Sequence, residues 1–180
     1  MIAKDVKIRP LALVDITTLS EMDHSYHTDY VWQMDLQSQS EEVMVRFRQV
    51  RLPRSMMVDY PNPPPLILED WQKRDGVLVA DLNEETIGYI SLDRSQVPGL
   101  VLVTDLVVLR RLRRQGIGSQ LLLAAQTWAN EKGDKQMLLE MQSKNYPAIR
   151  LANKLGFEFC GYSDRYFVNQ DIALFFGRRI

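Results

Sequence analysis

The sequence has little of what many small-protein functions require. Cys160 is the only cysteine among 180 residues, which excludes an internal disulfide framework and a multi-cysteine zinc cluster. The two histidines, His24 and His27, have no third fixed ligand nearby, so no metal is predicted. Such sparing use of cysteine is typical of a reducing compartment, and we expect a cytoplasmic protein.

Charge and hydropathy exclude two further classes of function. The 22 Lys and Arg residues nearly balance the 23 Asp and Glu residues, so no global field favours nucleic acid or an anionic membrane. The apolar runs are too short to span a bilayer, and residues 1–9 lack the apolar core of a signal peptide. A hydrophobic fraction of 46% is enough for one compact domain over residues 1–180.

Periodicity in the first half predicts mainly strands. A strand at 6–9 is followed by apolar residues at helical spacing over 11–22. Residues 23–40 show no clear period and are predicted to form a loop or an irregular helix. Alternating apolar residues predict a half-buried strand from Val43 that can continue to Pro53. Two strands at 76–82 and 86–92 are predicted to form an antiparallel hairpin.

In the second half, strands alternate with helices. Residues 100–109 are apolar at nearly every position, which predicts a central strand covered on both faces. A helical stripe follows Gly116 and ends at Gly133, and Asn145 is placed to cap a second helix. Further strands are predicted at 136–141, 157–162 and 172–176.

The most informative segment is a basic turn, residues 110–119, between the apolar strand and the helix. A helix N-terminus leaves backbone N–H groups unpaired and carries partial positive charge, so this turn suits a phosphate or pyrophosphate. Leu121 stands where the dinucleotide fingerprint needs a third glycine, and the Gly-Lys-Ser/Thr ending of a triphosphate loop is absent. At this point a merely solvated arginine turn stays open as an alternative.

Two motifs in this region carry a family resemblance. Leu106-x-Val108 followed by Arg113-x-x-Gly116-x-Gly118 resembles the acetyl-CoA signature of the GNAT superfamily, and residues 145–157 resemble its downstream motif. The tail from Cys160 to Phe176 resembles the streptothricin acetyltransferase branch. The resemblance implies an α/β fold whose mixed, mostly antiparallel central sheet has splayed central strands and flanking helices. It also implies direct transfer of an acetyl group from acetyl-CoA to a primary amine in a ternary complex.

The resemblance further implies roles for individual residues. The pantetheine arm would be held by backbone groups of Leu106, Val107 and Val108, and Asn145 would contact the same arm. The pyrophosphate would be cradled by Arg113, Arg114, Gln115, Gly116, Ile117, Gly118 and Ser119. Family members often have glycine where Arg114 stands, and many have a tyrosine in place of Ala152 that protonates the leaving thiolate. Water or one of three other tyrosines could replace it, namely Tyr146, Tyr162 or Tyr166.

Acetylation of an amine also requires a base, because an alkylammonium group with a pKa of about 10.4 is almost fully protonated at pH 7. Asp105 is the predicted base, since it interrupts an apolar strand beside the expected thioester. A structural role for Asp105, capping a backbone group, stays open. Cys160 is predicted to be a buried small side chain and not an acyl carrier.

The acceptor is less defined than the donor. Residues 23–60 are predicted to build its pocket, using three aromatic and three acidic side chains: Tyr26, Tyr30, Trp32, Asp23, Asp29 and Asp35. A small cationic molecule such as an antibiotic, and a peptide or protein amine, both remain open, as does a homodimer. A non-catalytic acyl-CoA-binding module is the alternative from another class. Nucleic-acid and membrane partners are not expected.

Overall fold

The computed structural model describes residues 5–61, 71–94 and 97–180. The strands of this part of the chain are β1 (Lys7–Pro10), β2 (Tyr26–Ser38), β3 (Val43–Val58), β4 (Gly76–Leu82), β5 (Glu85–Arg94), β6 (Leu100–Val108), β7 (Gln136–Gln142), β8 (Glu158–Ser163) and β9 (Ala173–Arg179). Its α-helices are α1 (Asp15–Glu21), α2 (Ile117–Glu131) and α3 (Tyr146–Lys154). Among the described residues, no helix combines the length and apolar character needed to cross a membrane.

Seven of these strands form one sheet in the order β1-β4-β5-β6-β7-β9-β8. Only β6 and β7 run parallel, and every other neighbouring pair is antiparallel. The strands β2 and β3 form a separate antiparallel ribbon. The predicted mixed, mostly antiparallel sheet with flanking helices is therefore confirmed.

The two parallel strands separate half-way along their length. Residues 100–103 of β6 pair with residues 136–139 of β7, and the described pairing ends there. On the other side of β6, Ser91 pairs with Asp105 while Leu92 pairs with Val103, so Thr104 is the extra residue of a β-bulge. Beyond the bulge, no strand of the described part of the chain pairs with the edge of β6 that faces β7, as a splayed sheet requires.

Helices cover both faces of the sheet. The larger core lies on the face where α2 and α3 pack, here called the α2 face, and includes Val101 and Val103. The smaller core lies on the opposite face, the α1 face, and includes Leu19 and Val107. Odd-numbered residues of β6 thus change face at Thr104, because one inserted residue reverses the alternation of side chains. Asp105 is turned onto the α1 face by the same reversal.

Local signals set the ends of the two long helices. Gly116 precedes α2 with φ 86°, and Gly133 follows it with φ 84°, both in the left-handed region that glycine adopts without steric cost. Asn145 caps α3, because its Oδ1 accepts from the backbone N–H of Ala148 at 3.1 Å. These boundaries agree with the sequence-based prediction.

The prediction for residues 23–40 is wrong, because most of them form β2. The strand starts with regular alternation, but its register with β3 shifts between Thr28 and Tyr30. This irregularity breaks the period-two pattern from which a strand is predicted. The partner strand also runs beyond Pro53 to Val58, since Pro53 lies where the pairing shifts and a ladder N–H is not needed.

A partly buried cluster of ion-paired side chains joins β1 to α1 and β4. The Asp15 carboxylate is 3% exposed and accepts from the Arg9 guanidinium at 2.7 and 2.8 Å. Arg9 also donates to Asp81 at 2.6 Å.

We expect Asp15→Ala to lower the free energy of unfolding by about 2–3 kcal/mol, because it leaves Arg9 half-paired while water partly screens that residue. The Arg9 hydrogen bonds lower the pKa of Asp15 in the folded state. The contribution should be complete above the unfolded pKa of about 3.9 and lost as pH falls through the lower folded pKa. Urea unfolding of both proteins at pH 7 and pH 3 checks this, and an equal difference at both pH values would contradict it.

Candidate active site

A cleft opens where β6 and β7 separate. Its walls are Val103, Thr104, Asp105 and Leu106 from β6, Leu139, Glu140, Met141 and Gln142 from β7, and Asn145, Ala148 and Leu151 from the N-cap and body of α3, and Tyr60, Pro61 and Phe167 complete the lining. The cleft therefore joins the end of the central strand to both faces of the sheet.

On the α2 face, the basic turn presents backbone donors. Arg114 and Gly116 both have positive φ, 68° and 86°, and the first N–H groups of α2 have no partner within the helix. Backbone N–H groups turned by left-handed residues form concave anion sites. A Cβ built on Gly118 would meet Leu151 at 3.4 Å and Leu106 at 4.0 Å, ordinary contact distances. Packing within the protein therefore does not require glycine at position 118.

The predicted contacts for an extended arm lie next to this turn. Residues 106–108 pair with residues 88–90 of β5 on one side. No described strand pairs with them on the side that faces β7, where the Val108 carbonyl accepts from Arg113. Asn145 lines the cleft, and capping of α3 uses only its Oδ1, which leaves the amide nitrogen available as a donor. The structure thus brings together residues 106–108, 114–119 and Asn145.

The Arg113 side chain points elsewhere. Its guanidinium donates to the backbone carbonyls of Val108 at 2.7 Å, Ser25 at 2.5 Å and Asp23 at 2.8 Å. Its backbone N–H donates to the Arg110 carbonyl. Arg114 is exposed, and no ion pair or hydrogen bond of its side chain occurs among the described residues.

On the α1 face, Asp105 is held by several groups. It is 2% exposed, accepts from the Tyr60 hydroxyl at 2.9 Å, and its other oxygen accepts from Thr104 at 3.0 Å. A nitrogen of Arg74 lies 3.9 Å from the same carboxylate, and Arg74 also pairs with Asp93. Asp105 therefore lines the cleft with both oxygens already engaged.

Glu140 is a second carboxylate in the cleft, and the sequence analysis missed it. It accepts from the Tyr166 hydroxyl at 2.8 Å. Burial raises the pKa of Glu140, the Asp105 charge adds to this shift, and the hydrogen bond from Tyr166 opposes it. The sequence carries the same signal for Glu140 as for Asp105, namely a single acid within an apolar strand. Leu139 and Met141 flank Glu140 on either side.

Two of the residues predicted for an acceptor pocket, Tyr26 and Trp32, make contacts within the fold. Of residues 23–60, Tyr60 is the one that lines this cleft in the described structure. Tyr26 donates to Gln142 at 2.7 Å, and Trp32 packs on Phe47 and Phe176.

The histidines and the cysteine also have other surroundings. His24 Nε2 is 3.0 Å from the Tyr89 hydroxyl, and His27 Nε2 is 2.5 Å from the cationic Arg110 side chain. The prediction that Cys160 is buried is wrong, because it is exposed on β8, the last strand of the sheet. Its apolar neighbour Phe159 is exposed as well, since both residues lie on this end strand.

Comparison with known proteins agrees with this geometry. A family model described as the acetyltransferase (GNAT) family matches residues 44–157, well over half of the chain. The chain belongs to the GNAT acetyltransferase family. The matched region contains the whole β6–turn–α2 unit, the separated strands and the cleft between them.

Two curated relatives carry more specific names. An N-alpha-acetyltransferase of Sulfurisphaera tokodaii is 36% identical over 91 residues, 44% of this chain and 54% of that protein. A streptothricin acetyltransferase of Streptomyces lavendulae is 31% identical over 93 residues, 52% of this chain and 49% of that protein. The chain thus spans about half the length of these two relatives.

Solved structures share the fold over nearly the whole chain. Nourseothricin acetyltransferase superposes with a TM-score of 0.80 at 21% identity, covering 97% of this chain and 98% of that one. A GNAT family acetyltransferase from Elizabethkingia anophelis, solved with acetyl-CoA bound, gives a TM-score of 0.67 at 14% identity and covers 99% of this chain and 100% of that one. At these identities the likeness concerns the fold.

The turn geometry predicts opposite results for two neighbouring substitutions. Gly116→Ala should lower the free energy of unfolding by about 1–2 kcal/mol, because alanine is strained in the left-handed region. Arg114→Gly should leave it within about 1 kcal/mol of the parent or raise it, since glycine relieves the same strain at φ 68°. Thermal unfolding of both variants checks this, and equal losses would contradict the assigned turn.

Proposed function

We propose that this protein transfers the acetyl group of acetyl-CoA to a primary amine by direct attack in a ternary complex. The observation that carries the proposal is the gap between β6 and β7. On the α2 face the gap adjoins a turn with backbone N–H groups suited to an anion, and two carboxylates, Asp105 and Glu140, line its walls. Donor and acceptor can therefore reach one point from opposite faces of the sheet.

The donor fits the α2 face residue by residue. The pyrophosphate would lie against the N–H groups of residues 114–119, with Gly118 permitting close approach and Arg114 supplying positive charge. The pantetheine arm would follow residues 106–108 along the edge that faces β7, and the amide nitrogen of Asn145 would donate to it. Bound there, acetyl-CoA would place its thioester in the gap beside Asp105 and Glu140.

The α1 face favours a cationic acceptor. Asp93, Asp105 and Glu140 lie on three neighbouring strands, and Arg74 pairs with Asp93 and approaches Asp105. An excess of negative charge at a partly desolvated surface attracts an ammonium group. A small cationic molecule such as a streptothricin-type antibiotic is our first acceptor class, supported by the Streptomyces relative. A peptide N-terminus is the second, supported by the Sulfurisphaera relative.

Glu140 is the base that the geometry favours. Its raised pKa suits it to take a proton from the attacking amine, and Tyr166 fixes one of its oxygens. The ammonium group would lose one proton to solvent before attack, and Glu140 would take a second proton from the same nitrogen as the new N–C bond forms and the C–S bond breaks. Water or a tyrosine would protonate the thiolate, whose pKa near 8.5 makes it a tolerable leaving group. Asp105 accepts hydrogen bonds from Tyr60 and Thr104 and would hold the acceptor cation. Asp105→Asn tests its predicted role as the base.

The test is release of free CoA thiol from acetyl-CoA in the presence of a panel of amines, with mass spectrometry of the product. The panel contains a streptothricin, a polyamine, and peptides with a free or a blocked N-terminus. We expect turnover with one class and a gain of one acetyl group on its amine. Binding of acetyl-CoA with no thiol release from any member would support the binding-module alternative.

We propose that the reaction takes place in the cytoplasm.

A further inference from the structure

The basic turn is tied by arginine side chains to the segment that leads into β2. The three guanidinium nitrogens of Arg113 each donate a hydrogen bond to a backbone carbonyl, at Val108, Ser25 and Asp23. Arg110 contacts the same segment through His27. Residues 23–27 are thus held directly by the turn that the family signature assigns to the donor.

The other side of this segment packs beside Tyr60, the residue that donates to Asp105. His24 is 6% exposed, and its ring centroid lies 5.4 Å from that of Tyr60. Its Nε2 is 3.0 Å from the Tyr89 hydroxyl, which fixes the ring. Tyr60 in turn donates to Asp105 at 2.9 Å. A short packed path therefore runs from Arg113 through His24 and Tyr60 to Asp105.

We propose that Arg113 is a positioning residue for the α1 face and not a phosphate ligand. If the guanidinium turned toward a pyrophosphate, three backbone carbonyls would lose their hydrogen-bond donor. Each carbonyl left unpaired costs free energy. In its observed position it holds residues 23–27 so that His24 supports Tyr60 beside Asp105. The inference rests on the proposed function only in taking the α1 face as the acceptor side.

The test compares Arg113→Gln with its neighbour Arg114→Gln. Arg113→Gln should leave the Kd for acetyl-CoA within about 3-fold of the parent, and lower kcat/KM for the amine at saturating acetyl-CoA by about 10-fold or more, since a misplaced acceptor weakens the reacting geometry. Arg114→Gln should act mainly on the Kd for acetyl-CoA, raising it about 3- to 10-fold as a phosphate partner is lost. The inference would be overturned if both variants raised the Kd for acetyl-CoA equally and Arg113→Gln left kcat/KM for the amine unchanged.

Arg113→Lys separates the two roles if the glutamine variant folds poorly. An ammonium group restores a point charge for a phosphate, but it cannot reproduce a planar fork spanning three carbonyls. We expect the lysine variant to bind acetyl-CoA like the parent and to keep a reduced kcat/KM for the amine. Full recovery of both quantities would overturn the inference.

Hydrogen exchange keeps the inference testable if no amine in the panel is acetylated. Loss of the Arg113 contacts should speed amide exchange in residues 23–27 in both Arg113 variants, while acetyl-CoA still binds. Unchanged exchange together with weakened acetyl-CoA binding would assign Arg113 to the phosphates. Failure of the proposed function and failure of this inference therefore give different results.

Discussion

Gly118→Glu should weaken acetyl-CoA binding by about 100-fold or more, equivalent to about 2.7 kcal/mol. A pyrophosphate at the start of α2 would approach position 118 closely, and a carboxylate there adds both bulk and like charge to the anion site. The measurement is calorimetric titration of the variant and the parent with acetyl-CoA.

Gly118→Ala is the matched control for this prediction. A methyl group at position 118 meets Leu151 at 3.4 Å and Leu106 at 4.0 Å, so the protein itself tolerates it. We expect both variants to unfold within a few degrees of the parent, with an intermediate loss of affinity for alanine. Retained affinity in Gly118→Glu would remove the pyrophosphate from this turn.

Glu140→Gln should lower kcat/KM for the amine about 10²- to 10³-fold, the range expected when a general base is lost. The amide keeps the shape of the side chain and the bond from Tyr166 but cannot take up a proton. Acetyl-CoA affinity should change little, because Glu140 faces the acceptor side. Asp105→Asn is the comparison, and a larger loss there would make Asp105 the base, as the sequence predicts.

The pH profile gives an independent check on Glu140. Burial raises its pKa, so the carboxylate becomes protonated at a higher pH than an ordinary glutamate. The activity of the parent should therefore fall as pH drops through this raised pKa. The acidic limb of the pH–activity profile should lie at a higher pH than the usual pKa range of a glutamate. The limb should disappear in Glu140→Gln, and its persistence would assign it to another group.

The turn and the helix ends to which we assign the donor were predictable from sequence, because their geometry is local. Gly116 and Gly118 follow directly on a buried strand, and Asn145 caps the helix that completes the cleft. Even the frequent glycine at position 114 in the family has a visible cause, since Arg114 adopts φ 68°. Contiguous backbone geometry is the part of a site that a short motif can specify.

The acceptor side depends on contacts between distant segments, which motifs do not encode. Tyr60 meets Asp105 across 45 positions of sequence, and Tyr166 meets Glu140 across 26. A single inserted residue at Thr104 decides which face Asp105 occupies, and alternation alone would place it with Val101 and Val103. The aromatic residues of β2 looked like a pocket in sequence, yet several of them pack the ribbon onto the main sheet.

The most direct test of the account is titration calorimetry of the parent protein with acetyl-CoA, followed by the same titration with CoA lacking the acetyl group. Every proposed step depends on the cleft between β6 and β7 holding this donor. We predict saturable binding of one acetyl-CoA per chain, and competition by CoA, which shares the pyrophosphate and the pantetheine arm. Absence of saturable binding would contradict the proposed donor site and the reaction built on it.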